Sequence, residues 1–216
     1  MQQKLQNSKF ELIEMHPKNT QSVIVSVGMN CVVFDPWGHA DDWIEKLDKR
    51  GLKLQAIYAT HGHPDHIACA PKLAAHYGVP WFLHGGDFRL VGSGNGLLEY
   101  FNLPPINVND IHPTLLKIKK TEILPNLLMD VIETPGHTPG GVAYNFPNEK
   151  LMIIGDTLFQ DSIGRYDLPG GNEKMLMQSI KNLYNLNLSD DTEIVHGHGM
   201  ATNIKYLKEN NPYFHN

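Results

Sequence analysis

The stretch Thr60-His61-Gly62-His63-Pro64-Asp65-His66 concentrates three imidazoles and a carboxylate in seven residues. Imidazole nitrogen and carboxylate oxygen are the usual donors for zinc and also serve manganese or iron, so the donor set names a class of metal. The run Leu54-Gln55-Ala56-Ile57-Tyr58-Ala59 just before it reads as a buried strand, and a strand end is a rigid place to hang ligands. Three later segments share this grammar: residues 134–140 around His137, residues 155–159 around Asp156, and His196-Gly197-His198-Gly199. Each sets a His or Asp directly after a predicted strand, beside glycines that let the backbone turn sharply. Together they imply converging ligands.

The elements that must position these ligands are legible from periodicity and turn residues. Residues 10–15, 22–27 and 31–34 are short and β-branched or apolar, with Gly28-Met29-Asn30 between the last two, which predicts a strand meander. Asp41-Asp42 then precedes Trp43, Ile44 and Leu47 at helical spacing, and Gly51 supplies the stop. The first ligand group is predicted in a loop between the strand ending at Thr60 and a helix opened by Pro71, with Leu73, Ala74 and Tyr77 inward and Gly78 at its end. Residues 79–84 form a further predicted strand, followed by a long irregular region to Pro113; loops of this length are usually functional or disordered. A second group of strands is predicted at 115–118, 123–124, 127–133, 142–146 and 151–154. After it come a helix bearing Leu176, Ile180, Leu183 and Tyr184, a strand at 192–195, and a short helix through Tyr206 and Leu207. With no low-complexity linker and no short-period repeat, residues 1–216 are expected to form one mixed α/β domain.

Composition narrows the function class. A formal net charge of −5, without a long basic run, gives no electrostatic reason to expect nucleic acid or an anionic membrane as partner. The polar start and the lack of any apolar run near ~20 residues predict no membrane span and a cytoplasmic location. Cys31 and Cys69 have neither CxxC spacing nor a disulfide framework, and are read as buried small hydrophobes. His16, His39, His76, His84, His112 and His215 lie outside the motifs and are read as ordinary histidines.

Asp35 at the end of the third predicted strand, His-x-His-x-Asp-His at residues 61–66, Gly136-His137, Gly155-Asp156 and Gly197-His198 occur in that order. In this the chain resembles the metallo-β-lactamase-fold hydrolases. The resemblance implies an αβ/βα four-layer sandwich, two β-sheets face to face with helices outside and metals at one sheet edge. It further implies that His61, His63 and His137 hold one metal, that Asp65, His66 and His198 hold a second, and that Asp156 bridges both, Asp35 being structural. Two divalent ions, expected to be Zn with Fe or Mn as alternatives, about 3.5–4 Å apart would share a water and lower its pKa. Each imidazole then needs an acceptor to fix its tautomer, with Thr60, Asp35 or a strand carbonyl in reach.

Residues 162–171, Ser-Ile-Gly-Arg-Tyr-Asp-Leu-Pro-Gly-Gly, are similar to the short bacterial-type relatives of glyoxalase II, the hydroxyacylglutathione hydrolases. This implies a thioesterase acting on S-acylglutathione or a related small acyl-thiol, with Asp65 catalytic and Arg165 and Tyr166 contacting substrate. Arg165 fits the place of a basic residue that grips a glutathione carboxylate in the longer enzymes; the other reading is an internal salt bridge to Asp167 or Asp161. Asp167 stands where those enzymes have an aromatic, and the chain stops soon after its last ligand motif, where they append a helical domain. The alternative implied by the same segment is a mononuclear iron persulfide dioxygenase using His61, His137 and Asp156. Lactamase, nuclease and non-catalytic metal-binding roles on this fold rank lower. Trp37 is read as a packing residue, and His196 as lying off the ligand face.

Overall fold

The computed structural model describes residues 5, 7, 9–15, 20–107 and 112–215; His16 and residues 108–111 of the predicted irregular region lie outside these. Strands β1 (Phe10–Met15), β2 (Thr20–Val27) and β3 (Asn30–Phe34) form the antiparallel meander. Helix α1 (Ala40–Lys49) then crosses to β4 (Lys53–Tyr58), which pairs parallel with β3. Helices α2 (Pro64–Ile67) and α3 (Ala70–Tyr77) lead to β5 (Trp81–Leu83). A 3-10 turn at Gly85–Asp87 and helix α4 (Asn95–Tyr100) follow, before β6 (Thr114–Leu115) closes a sheet in simple chain order. The second sheet contains β7 (Thr121–Leu124), β8 (Leu127–Glu133), β9 (Val142–Phe146), β10 (Leu151–Gly155), β11 (Glu193–His196) and β12 (Thr202–Asn203), again in chain order. Helix α5 (Glu173–Tyr184) connects β10 to its parallel neighbour β11, and α6 (Ile204–Asn210) follows β12.

The layering follows from period-two alternation on strands that are buried on both faces. Val32 and Phe34 of β3 point into a core that also takes Val142, Tyr144 and Phe146 from β9 and Leu151 and Ile153 from β10, so this core lies between the sheets. Cys31 and Val33, on the other face of β3, pack with Trp43 and Leu47 of α1 and Leu73 of α3. Met152 and Ile154, on the other face of β10, pack with Leu176, Ile180 and Leu183 of α5 and with Leu207 of α6. Helices, sheet, sheet and helices are therefore separated by three apolar cores, the expected αβ/βα four-layer sandwich. Aromatics stiffen the middle: Phe34 stacks on Tyr58 at 5.3 Å and Tyr58 on Phe82 at 4.9 Å, and the Tyr144 hydroxyl crosses between sheets to donate to the Ala59 carbonyl at 2.6 Å.

Four sequence expectations need correction. The strand predicted at 115–118 contracts to β6 and pairs with β5 in the first sheet, so it does not open the second group. Asp65 and His66 sit on a helical turn, α2, where Pro64 is accommodated in the first turn because no N–H is needed there. The predicted irregular region contains the 3-10 turn and α4, whose Leu98 is buried. The two-residue β12, too short for any periodicity, was not anticipated.

Candidate metal centre

The candidate ligands follow the ends of β4, β8, β10 and β11, and the two sheets are stitched together at this edge. The Val142 N–H donates to the Thr60 carbonyl at 2.9 Å and the Gln21 N–H to the Gly197 carbonyl at 2.8 Å. His61, His63 and His137 present ring nitrogens within 4.8 Å of one another, and one ring nitrogen or carboxylate oxygen from each residue converges as closely in Asp65, His66 and His198 and in His61, His66 and Asp156. Asp156 lies between the first two groups: Oδ2 is 3.6 Å from His137 Nε2 and 3.5 Å from His198 Nε2, and Oδ1 is 3.4 Å from His66 Nε2. His198 Nε2 also lies 3.3 Å from Asp65 Oδ2. No other group of three donors with this convergence occurs among the described residues, and His39, His76, His84, His112 and His215 join none.

The tautomers are fixed by surrounding acceptors. Thr60 Oγ1 donates to Asp35 Oδ2 at 2.7 Å, so toward His61 Nδ1, 3.0 Å away, it can only accept. His137 Nδ1 donates to the Arg165 carbonyl at 2.7 Å and His66 Nδ1 to Asp35 Oδ2 at 2.9 Å. In neutral rings the Nε2 atoms of His61 and His137 are therefore bare acceptors. Both face one atom, His63 Nδ1, at 3.1 and 2.9 Å, and that atom can donate to only one of them. A cation would satisfy all three lone pairs. Likewise His66 Nε2 and Asp156 Oδ1 are buried without a hydrogen-bond partner, a costly arrangement for polar atoms unless a metal takes them up. The donor set thus fits divalent metal ions.

Protonation divides the cluster. Burial, then the neighbouring His66 and His63, hold His61 well below the usual histidine range, and burial with His137 beside it lowers His63 to about 4. These rings stay neutral, as metal donors must. Burial also opposes charge on His198, but the Asp156 and Asp65 carboxylates outweigh it and raise that ring to about 9. Burial would raise Asp156, yet His66 and His198 hold it well below the usual carboxylate range. At Gly197 there is no room for a side chain, since a Cβ would run into Asp156 Oδ1 and lie 2.9 Å from His66 Cε1. Gly155 combines a φ of +51° with the same closeness to Thr60 Oγ1.

Asp35 is not among the converging donors; its carboxylate accepts from Thr60 N, Thr60 Oγ1 and His66 Nδ1. Both nitrogens of His196 are occupied, by the Leu158 carbonyl at 2.6 Å and Thr202 Oγ1 at 2.8 Å, which keeps it out of the cluster. Trp37 is fully buried and meets Phe101 edge to face, and both cysteines are buried and free. The cluster floors a cleft of about 570 Å³ walled by Phe159, Ile163, Leu168 and Arg165. Arg165 makes a bidentate pair with Asp167, both bonds 2.9 Å, and both side chains are exposed. Tyr166 is exposed and is not among the residues that line the cleft. A separate hollow of about 440 Å³, beside His39, Cys69 and Pro104, contains none of the ligands.

Two residues near the cluster had been missed in the sequence. Asp87 is fully buried and accepts from Gly62 N, Thr138 Oγ1 and Gly140 N. Its signal was available: Gly85-Gly86-Asp87 follows a strand, the grammar that marked the other segments. Phe159, whose ring centroid is 6.2 Å from that of His198, ends the segment around Asp156, but as an aromatic with no donor atom it carries no mark of a place in the site.

A sequence model described as the metallo-beta-lactamase superfamily matches residues 17–198. The chain belongs to the metallo-beta-lactamase superfamily. It is 35% identical, over 85% of its own length and 87% of the relative's, to the hydroxyacylglutathione hydrolase GloC of Haemophilus influenzae. Among solved structures it is similar to the BLEG-1 B3 metallo-beta-lactamase, with a TM-score of 0.85 and 32% identity covering 96% of this chain and 100% of that one. It is also similar to TTHA1623, solved in a di-iron-bound form, with a TM-score of 0.82 and 29% identity covering 94% and 98%. Membership of this metallo-hydrolase superfamily accords with the His/Asp cluster. No helix among the described residues is long and apolar enough to cross a membrane.

Proposed function

We propose that the chain is a thioesterase of the glyoxalase II type, acting on S-acylglutathione or a related small acyl-thiol, with no nucleic acid or membrane as partner. His61, His63 and His137 would hold one divalent ion, Asp65, His66 and His198 a second, and Asp156 would border both, zinc being the first metal to load. When bound, such a pair supplies Lewis acidity that lowers the pKa of a shared water and polarises a carbonyl. Asp65, in the cleft floor, would take the proton of the attacking water at its carboxylate. The walls Phe159, Ile163 and Leu168 exclude water and seat the acyl chain. A thiolate leaves without needing a proton donor, because a free thiol titrates near ~8.5.

Arg165 would meet a carboxylate of the thiol carrier at the rim. Its pair with Asp167 is exposed, and exposed pairs are weak enough to exchange for a substrate anion. The observation that carries the proposal is the 35% identity to a hydroxyacylglutathione hydrolase along 85% of a chain whose seven expected ligands converge. A second reading, lactam hydrolysis, is favoured by the likeness to BLEG-1.

The test is a panel containing S-lactoylglutathione, other acyl-glutathiones, acyl-CoAs, a chromogenic cephalosporin and glutathione persulfide, offered to metal-loaded protein on an oxygen electrode. Thioester cleavage that is lost in His63→Ala supports the proposal. Cephalosporin cleavage alone supports the second reading. Oxygen uptake on the persulfide, with one iron per chain, would replace both by a dioxygenase.

A further inference from the structure

Asp87 hangs from the 3-10 turn after β5, outside every ligand motif, and its carboxylate is fully buried. Oδ2 accepts from the Gly62 N–H at 2.8 Å and from Thr138 Oγ1 at 2.7 Å, and Oδ1 accepts from the Gly140 N–H at 2.6 Å. Gly62 is the residue between His61 and His63, and Thr138 directly follows His137. One side chain therefore holds the chain beside all three members of a single ligand group, through the backbone N–H between His61 and His63 and the hydroxyl of the residue after His137, tying the loop after β4 in the first sheet to the loop before β9 in the second. The fit is close: a Cβ on Gly62 would lie 2.9 Å from Asp87 Cβ, and one on Gly140 2.8 Å from Asp87 Oδ1. The other group has a different anchor, because His66 bonds to Asp35.

We propose that Asp87 is a positioning residue that sets the geometry, and hence the affinity, of the His61–His63–His137 metal site and leaves the Asp65–His66–His198 site unaffected. This rests on the two-metal reading above. A carboxylate is needed because three donors converge on its two oxygens. An amide at this position would keep one oxygen as an acceptor but turn an N–H₂ toward an N–H. Outer partners of metal ligands act in this way, and their loss typically weakens binding by roughly 10–100-fold.

The experiment titrates Zn²⁺ alone into metal-free full-length protein against a chromophoric competitor, for wild type, Asp87→Asn, His63→Ala and the double variant. Wild type is expected to bind two zinc ions, and Asp87→Asn to bind one of them about 10–100-fold more weakly with the other unchanged. In the His63→Ala background, where the three-histidine site is already broken, Asp87→Asn is expected to leave the remaining zinc unaffected. Two unaltered affinities in Asp87→Asn, or equal weakening of both, would overturn the inference and leave the two-metal reading standing. A wild-type chain that binds no zinc would overturn both. If Asp87→Asn does not fold, Thr138→Val removes one of the three bonds. It should weaken the same zinc by roughly fivefold, and no change there would count against the inference.

Discussion

Gly197 and Asp156 show how little slack the ligand cluster leaves. A methyl at residue 197 has nowhere to go but into the Asp156 carboxylate, which lies within 3.6 Å of ring nitrogens on His66, His137 and His198. Gly197→Ala is therefore expected to retain its secondary structure by circular dichroism and to lose about 10²-fold in thioester turnover, the scale of a misplacement near 1 Å. Far from the site, Cys31 offers a test by pH. Burial raises its thiol to about 11, against an ordinary value of 9.0. The neutral thiol is the form the fold prefers, so its contribution is complete below pH 9 and is lost as pH rises toward 11. Denaturation midpoints should fall across that window, by about 2–3 kcal/mol of stability from this residue. Cys31→Ala should flatten that part of the profile.

At the scale of elements, the placement of His137 depends on α5. The Asn172 side chain caps this helix by accepting from Met175 N at 2.9 Å, while the Asn172 backbone N–H donates to the Gly136 carbonyl at 2.8 Å, one residue before the candidate ligand His137. Asn172→Ala should cost about 1 kcal/mol in urea denaturation, the usual worth of such a cap. The long elements were legible because β3 and β10 are buried on both faces and read as nearly unbroken apolar runs, and because α1 and α5 carry one apolar stripe. The parts that were not legible share a physical reason. β6 and β12 are two residues long, below any period, and α2 is a single turn that carries the candidate ligands Asp65 and His66. The ligands themselves stood out because histidines at strand ends serve no packing need. Asp87 did not, because its partners are mostly backbone N–H groups, which no sequence pattern displays.

For the whole molecule, the ligands come from both halves of the chain, with His61 to His66 following the first sheet's β4 and His137, Asp156 and His198 following strands of the second. Metal bound across that seam should therefore hold the two sheets together. Bound metal stabilises the folded state by mass action, about 2.7 kcal/mol for each site filled at a free concentration of 100 times its Kd. Chelation is accordingly expected to lower the melting temperature without abolishing the cooperative transition, since the three apolar cores remain. The metal content of purified, metal-reconstituted protein, measured by elemental analysis beside His63→Ala and His198→Ala, tests the two-metal centre most directly. The expected result is two divalent ions per wild-type chain and one in each variant. A single ion in wild type, retained in His198→Ala and lost in His63→Ala, would contradict the two-metal centre on which the proposed thioester chemistry rests.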